Sequence, residues 1–420
     1  MAMMRCTVCH KPYDGPMNHF VCPHCGGSIE APVDLEKDPE HLRKVIREGS
    51  ADGIWGYRDF FHVPEEAQPV TMGEGNTPLI HTQRLAKHYG MSGLYLKNET
   101  LNPSGTYKDR FATVAMTLAR ADGIREVAIG SAGNAAAAVA AYAAKAGMEC
   151  YIMLPPGAVK ERAWQNMSYG GHFIYGMGGV NDCVAMAEDG EAIFGWKNMC
   201  TTMMNNPLAC DGYKTIAYEI ARSMHFDVPD NVICPVGGGI IISKVYKGFE
   251  EMKALGLIDR LPKMIAVQAA GCAPLVKAYQ EGKHATEKWE NGDTIAFAIF
   301  DPVTFEGVTA LDTVRRSGGT AVAIPDEDIL EAMRTCARLE AVIAEPASAA
   351  TIAAAVKLCG EGVIKPDDKT VCVLTGSGLR DLKLFANEHA EVPEVQPGDM
   401  DALRRAVAFY QAKEETGHDA

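Results

Sequence analysis

The 420-residue sequence has no uninterrupted apolar run of about 18 residues, the length that a membrane-spanning helix needs. Its first residues also lack the apolar stretch of a signal peptide. Basic residues are comparatively few: 40 lysines and arginines stand against 54 acids, giving a net charge of −14. Proteins that bind nucleic acids usually present a basic surface. We therefore expect no membrane span, no nucleic-acid partner and a cytoplasmic location.

Disulfide bonds are not expected either, although the chain has thirteen cysteines. Nine of these are scattered, mostly in apolar surroundings, and such cysteines usually behave as small buried hydrophobic side chains. A chain of this size without an export signal rarely depends on a disulfide framework. Apolar residues make up 47% of the chain, enough for a sizeable core and about two to three domains.

The other four cysteines form two Cys-x-x-Cys pairs near the N-terminus. Each pair can direct two thiolates at one ion, and four thiolates complete a tetrahedral zinc site. A redox Cys-x-x-Cys motif does not explain two matched copies. We predict a structural zinc ribbon over residues 1–30, without an open catalytic position. Its ligands would be Cys6, Cys9, Cys22 and Cys25.

Short apolar strands alternate with helices from about residue 70, after a charged connector at residues 31–70. Alternation on this scale predicts an α/β fold with mostly parallel sheets covered by helices on both faces. Residues 391–420 form a charged tail with one amphipathic helical segment.

One loop contains a lysine directly before a long helical segment. Pro103 and Gly105 interrupt the chain just before Lys108, and residues 109–121 contain neither proline nor glycine, which predicts a loop followed by a helix. The positive helix end and partial burial both favour a neutral amine. A neutral amine is a nucleophile that forms a Schiff base with an aldehyde. A surface lysine at a helix start explains this segment equally well.

Three further turns follow predicted strands, where parallel sheets bind their ligands. The turn Gly237–Gly239 precedes a helix, so its amides can approach an anion. It is not a Gly-x-Gly-x-x-Gly motif and no Walker-type lysine follows, which disfavours a nucleotide; a plain tight turn is the alternative. Asn134 opens a helix after residues 131–133, where a helix cap is the alternative, and Thr375 follows the last strand, where an ordinary turn is the alternative.

A lysine nucleophile, an anion cradle, an amide side chain and a hydroxyl together are the groups that a pyridoxal 5′-phosphate (PLP) site requires. The chain from about 70 to 385 resembles the fold-type II PLP enzymes, and among them the threonine synthases. Six segments match in order and spacing: residues 75–79, 102–110, 131–134, 235–239, 345–350 and 374–376. Some threonine-synthase-like proteins also carry an N-terminal zinc ribbon.

The resemblance implies two three-layer α/β domains with mostly parallel sheets, preceded by the small four-cysteine ribbon. A large PLP-binding domain would comprise residues 71–120 and 212–390. Residues 121–211 would form a small mobile domain. We also expect a small amino-acid substrate and a homodimer.

The resemblance also implies a role for individual residues. Lys108 would be the Schiff-base lysine and later the proton shuttle, Asn134 would bind the ring oxygen, and Thr375 would face the ring nitrogen. Three residues would hold the cofactor phosphate: Gly237, Gly238 and Gly239. Four residues would contact the substrate: Thr106, Ser131, Ala132 and Gly133.

Three positions depart from the pattern of the threonine synthases. Ala135 stands where a hydroxyl is usual, Ala209 where an arginine is frequent, and Ser377 where a histidine is common. The first two changes would remove groups expected to bind the phosphate of O-phosphohomoserine, and burying that dianion without an arginine is costly. Lys97 and Arg110 are the candidates that would replace the arginine.

The leading interpretation is a threonine-synthase-like enzyme that acts by elimination or replacement at Cβ or Cγ, converting O-phosphohomoserine to threonine and phosphate. The alternative is a serine/threonine-type ammonia-lyase, or a β-replacing synthase for another small amino acid, anionic ones included. A third hypothesis is a binding protein with a retired enzyme domain. The intact Lys108, Asn134 and triple glycine argue against that third hypothesis.

Overall fold

The computed structural model describes residues 4–15, 19–131, 133–156, 160–385 and 392–416. The predicted substrate contact Ala132 lies outside the described residues. The chain divides into two compact units, Met1–Arg380 and Asp381–Ala420. No helix in the described ranges combines the length and the apolar composition needed to cross a bilayer.

Strands are found in the first unit. Within the described residues they are β1 (Arg5–Cys6), β2 (Ile29–Glu30), β3 (Leu79–His81), β4 (Leu94–Asn98), β5 (Glu126–Gly130), β6 (Glu149–Leu154), β7 (His172–Tyr175), β8 (Lys197–Asn198), β9 (Asn231–Pro235), β10 (Lys263–Ala269), β11 (Thr320–Ile324) and β12 (Thr370–Leu374).

Helices follow most of the strands. They are α1 (Pro39–Glu48), α2 (Arg84–Tyr89), α3 (Asp109–Ala121), α4 (Asn134–Ala146), α5 (Lys160–Ser168), α6 (Val180–Phe194), α7 (Thr215–Ser223), α8 (Ile240–Ala254), α9 (Pro274–Gln280), α10 (Gly307–Arg316), α11 (Asp326–Glu340), α12 (Pro346–Gly360) and, in the second unit, α13 (Met400–Thr416). Short 3-10 helices also occur, among them Glu99–Leu101, Ala209–Lys214 and Phe297–Ile299.

Two sheets form the body of the first unit. The larger has the order β11-β10-β9-β12-β4-β3, and the smaller has the order β7-β6-β5-β8. All neighbouring strands run parallel except the edge pair β3 and β4. The predicted α/β fold with mostly parallel sheets is therefore confirmed. The smaller sheet takes its strands from residues 126–198, whereas the domain boundaries themselves stay a prediction.

The centre of the larger sheet determines where a ligand can bind. Every residue of β9 and β12 is buried, as expected for strands covered on both faces. Strand β12 lies between β9 and β4, parallel to both, so the carboxyl ends of the three strands lie at one edge. The chain continues from those ends into the Gly237–Gly239 turn, Thr375 and the loop before Lys108. The same edge therefore carries three of the predicted site segments.

Helix α3 begins at Asp109, directly after Lys108, and has the bounds predicted from the sequence. Its start is anchored by Arg110, whose guanidinium binds Glu99 at 2.7 and 2.8 Å and Glu219 at 2.7 Å through two nitrogens. Lys97 donates to Glu219 at 2.6 Å. All four side chains are fully or almost fully buried, with two cations matching two anions.

The four-charge cluster has a consequence for the substrate hypothesis. Lys97 and Arg110 were the candidates to replace the missing arginine at a substrate phosphate. That expectation is wrong, because both cations are buried and already bound to Glu99 and Glu219. The cluster instead joins β4, the start of α3 and helix α7.

Replacing Arg110 by alanine should be strongly destabilising. Two buried carboxylates would then face only Lys97, and an uncompensated buried charge costs about 3–5 kcal/mol. We expect the free energy of unfolding, measured by chemical denaturation, to fall by about that amount. The control is Lys283→Ala, which removes exposed pairs with Glu281 and Glu287 and should change the free energy of unfolding little. Equal losses in both variants would contradict the assigned role of the cluster.

Candidate active site

A cavity of about 570 Å³ lies at the carboxyl ends of β5, β9 and β12. The structure brings most of the predicted site residues to its walls. These are Lys108, Ser131, Gly133, Asn134, Gly237, Gly238, Gly239 and Thr375. Thr106 is not among the lining residues; it is buried, and its hydroxyl accepts a hydrogen bond from the Lys108 amide at 3.3 Å.

The Lys108 amine points into this cavity from the start of α3. Its Nζ donates to Thr201 Oγ1 at 2.8 Å and lies 5.0 Å from the ring centroid of Tyr107. Burial lowers the pKa of Lys108 to about 8, although nearby acidic groups oppose the shift. About a tenth of the amine is therefore neutral, and hence nucleophilic, at pH 7.

The Gly237–Gly239 turn fits a bound anion. It leads into α8, whose first backbone N–H groups have no acceptor within the helix and whose dipole favours negative charge. Gly239 has a φ of +101°, and a β-carbon there would lie only 3.1 Å from the Ala310 side chain. A larger residue would therefore be strained and would crowd this turn. The donor set suits the phosphate of PLP.

Asn134 and Thr375 are both held by neighbouring polar groups. The Asn134 amide donates to both carboxylate oxygens of Glu345, at 2.9 and 3.0 Å, and its oxygen accepts from Arg380 at 2.5 Å. The Thr375 hydroxyl lies 3.2 Å from that of Ser348 in α12. Helix α12 therefore fixes a hydroxyl at the end of β12, where a ring nitrogen would be received.

Two acids in the cavity wall were missed by sequence reasoning. Asp301 and Glu306 lie in the segment between β10 and α10, and burial raises the pKa of Asp301 to about 7 and that of Glu306 to about 8. The segment shows neither helical periodicity nor strand alternation. The one local sequence signal in this segment is the Asp301-Pro302 dipeptide, which indicates a turn. A turn does not show whether the side chains of Asp301 and Glu306 face a cavity.

The three departures from the family pattern occupy different positions. Ala135 lines the cavity, whereas Ala209 is buried in the 3-10 helix Ala209–Lys214 and Ser377 pairs through its backbone with Gly105. The described lining residues include two lysines, Lys108 and Lys288, and no arginine. Arg380 is not among them, and its guanidinium donates to Asn134 Oδ1 and to the Ser104 carbonyl.

The four N-terminal cysteines lie together as predicted. Their sulfur atoms are all within 4.8 Å of one another, with Cys6–Cys25 at 3.5 Å and Cys9–Cys22 at 3.6 Å. Zn–S bonds of about 2.3 Å in a tetrahedron place sulfurs roughly 3.8 Å apart. The geometry therefore fits a four-thiolate zinc site.

The ribbon packs beside the cavity wall. The Ser28 amide donates to Thr309 Oγ1 at 2.9 Å, and the Phe20 amide donates to the Met204 carbonyl at 2.8 Å. Thr309 lies three residues after Glu306, and Met204 lies three residues after Thr201. The ribbon thus contacts both segments that carry these lining residues.

Comparison with known proteins agrees with this geometry. Residues 70–376 match the family described as "Pyridoxal-phosphate dependent enzyme". The chain is 38% identical to threonine synthase of Methanocaldococcus jannaschii over 408 residues, covering 96% of this chain and 99% of that protein. It is 37% identical to threonine synthase of Methanosarcina acetivorans over 414 residues, covering 98% and 100%.

Solved structures show the same fold. The processed form of threonine deaminase isoform 2 from Solanum lycopersicum aligns with a TM-score of 0.62 at 21% identity, covering 80% of this chain and 83% of that one. Maize serine racemase aligns with a TM-score of 0.61 at 21% identity, covering 81% and 94%. The predicted resemblance to fold-type II PLP enzymes is confirmed, and the chain belongs to the family of pyridoxal-phosphate dependent enzymes.

Proposed function

We propose that the chain is a PLP-dependent threonine synthase that converts O-phosphohomoserine and water to threonine and phosphate. The observation that carries the proposal is the 38% identity to a threonine synthase over nearly the whole length of both chains. The arrangement of Lys108, the glycine turn and Thr375 around one cavity supports it. A homodimer, a cytoplasmic location and a small mobile domain at residues 121–211 remain part of this proposal.

The cofactor, when bound, would withdraw electrons from the α-carbon of the substrate and so ease loss of its proton. The Lys108 amine would then act as a general base and acid, taking that proton at Nζ and returning one later. Its pKa of about 8 suits both roles near neutral pH. Thr201, which accepts a hydrogen bond from this amine, would orient it.

Groups on the other walls would bind and orient. The amides of Gly237–Gly239 and of the start of α8 would hold the cofactor phosphate. The Thr375 hydroxyl would face the ring nitrogen and, being neutral, would stabilise a protonated ring less than a carboxylate would. Asn134 would bind the ring oxygen after exchanging one of its hydrogen bonds to Glu345.

A second candidate is an ammonia-lyase or β-replacing synthase for another small amino acid. The described wall contains no arginine for a substrate phosphate, and Ala135 lacks the hydroxyl that is usual there. The acids Asp301 and Glu306 would further disfavour a dianion when ionised. These observations favour substrates without a distal phosphate.

We also propose that Cys6, Cys9, Cys22 and Cys25 hold a structural Zn²⁺. The sulfur spacing supports this assignment. Backbone N–H groups of Val8 and Cys9 lie 3.4 and 3.5 Å from Cys6 Sγ, where they would stabilise a thiolate. With four protein ligands the ion would have no open position for substrate.

Lys108 should be the amine that reacts with PLP. Added to cofactor-free protein, PLP should give a visible absorption band that borohydride bleaches, leaving the pyridoxyl group covalently attached to Lys108. The initial rate should rise with pH about a midpoint near 8, as the Lys108 amine loses its proton, rather than near the 10.4 typical of lysine. Lys108→Ala should abolish the covalent label. Lys288→Ala, which removes the other lysine of the described wall, should retain it; a label at the native level in K108A would refute the assignment.

The substrate should be identifiable from its products. With O-phosphohomoserine, the PLP-bound enzyme should release phosphate and threonine in equal amounts, and Lys108→Ala should lower kcat by at least ~10²-fold because the general base is lost. Serine, threonine, O-acetylserine and phosphoserine serve as comparison substrates. Pyruvate from serine or 2-oxobutyrate from threonine, without turnover of O-phosphohomoserine, would establish the second candidate instead.

The ribbon should contain one zinc per chain. Elemental analysis of the purified protein should give that ratio, and Cys22→Ser should lower it because three thiolates bind zinc less tightly than four. Cys359→Ser is the matched control, since Cys359 is partly exposed and lies outside the cluster. Full zinc content in C22S would argue against the predicted ligand set.

A further inference from the structure

Two acids converge on the glycine turn that suits an anion. A β-carbon placed on Gly238 would lie 3.4 Å from both Asp301 Oδ2 and Glu306 Oε2. Both side chains line the same cavity as Lys108. Two ionised carboxylates beside a phosphate would repel it, so their presence here needs a chemical explanation.

Glu306 is held beside the turn by two hydrogen bonds. Its backbone amide donates to the Gly238 carbonyl at 2.7 Å, and its Oε1 accepts from the Met203 amide at 2.8 Å. Its side chain has no lysine or arginine within 4 Å in the described part of the chain, and only 3% of the residue is exposed. An unpaired buried carboxylate is costly and takes up a proton instead.

Five titratable groups face Glu306. They come from the loop before it, from the start of α3 and from the 3-10 helix Ala209–Lys214. They are Asp301, Tyr107, Lys108, Cys210 and Tyr213. Lys108 is the one cation among these five, and burial outweighs its attraction, raising the pKa of Glu306 to about 8. Because Oε1 accepts a hydrogen bond from Met203, the proton belongs on Oε2, the oxygen that faces the turn.

We propose that Glu306 is a neutral hydrogen-bond donor to a phosphate monoester bound over the Gly237–Gly239 turn. The proposal rests on the proposed function, which supplies two such esters, the phosphate of PLP and that of O-phosphohomoserine. A neutral acid adds a donor to the backbone amides without adding a charge. Loss of the proton replaces that donor with a negative charge, so binding weakens as pH rises.

The test uses pyridoxine 5′-phosphate, which has the ring and the phosphate of the cofactor but no aldehyde to react with Lys108. Its Kd is measured by fluorescence at pH 7 and pH 9 for the cofactor-free native protein, E306Q and E306A. Glutamine can accept from Met203 and donate to phosphate, whereas alanine can do neither. Because Glu306 raises the pKa of Lys108, the three proteins are also measured with the added substitution Lys108→Ala, which removes the titration of that amine from the ratio of their Kd values.

At pH 7, Kd for E306Q should be within about threefold of the native value, and E306A should bind about tenfold more weakly. Between pH 7 and pH 9, the ratio of native Kd to E306Q Kd should rise about tenfold, because a carboxyl group with a pKa near 8 loses its proton over that range. Two results would contradict donation by Glu306 to the phosphate of pyridoxine 5′-phosphate. One is a ratio that does not change with pH, and the other is E306Q binding as weakly as E306A at pH 7.

A second arm identifies which phosphate is bound. With PLP saturating, KM for O-phosphohomoserine is compared between native enzyme and E306Q at the same pH values. If the ratio of native Kd to E306Q Kd changes with pH, the donor binds the cofactor phosphate. If only the ratio of the two KM values changes with pH, the donor binds the substrate phosphate. A constant ratio in both arms overturns the proposal. If the enzyme did not turn over O-phosphohomoserine, the proposed function would be contradicted. The binding of pyridoxine 5′-phosphate would still test the role of Glu306, because it requires no turnover.

Discussion

Arg110 lies two residues after Lys108 and binds Glu99 and Glu219 with both sides of its guanidinium. These buried ion pairs connect the start of α3 to β4 and α7. Lys97 supplies the second positive charge, so that two cations match the two carboxylates. Since all four ions have left water, the arrangement is stable only when every partner is present. The position of the reactive amine is therefore set by ion pairs that lie outside the cavity. Buried interactions in the core thus determine the geometry of the cavity.

Cofactor recognition and substrate recognition depend on different chemistry in this cavity. The cofactor side consists of backbone amides, one amide side chain and one hydroxyl, all of which hydrogen-bond without a net charge. The side expected to meet the substrate has Ala135 where a hydroxyl is usual, and the acids Asp301 and Glu306 lie beside the glycine turn expected to hold the cofactor phosphate. A protonated Glu306 would make these two observations compatible, because it offers a donor to a phosphate instead of repelling it.

Most of the site could be predicted because its parts lie in local strand–turn–helix segments. Lys108, Asn134 and Thr375 each follow or open an element that can be recognised from its own neighbours, and parallel strands bring such turns to one edge. Glu306 was missed because its position depends on contacts with Gly238 and Met203, distant in sequence, and no local periodicity reports them. The partners of Arg110 were missed for the same reason: Glu219 is 109 residues away.

The position of β12 also bears on how this protein is made. It is the last strand in sequence among the described residues, yet it lies between β9 and β4 in the larger sheet. The pairing of β12 with β4 joins residues separated by 276 positions, as in Thr370 with Leu94. Contacts of such long separation form slowly, and the earlier strands lack a central neighbour until this one leaves the ribosome. Assembly of the larger sheet, and with it the cofactor edge, is therefore a late event in synthesis, when some nine-tenths of the chain already exists.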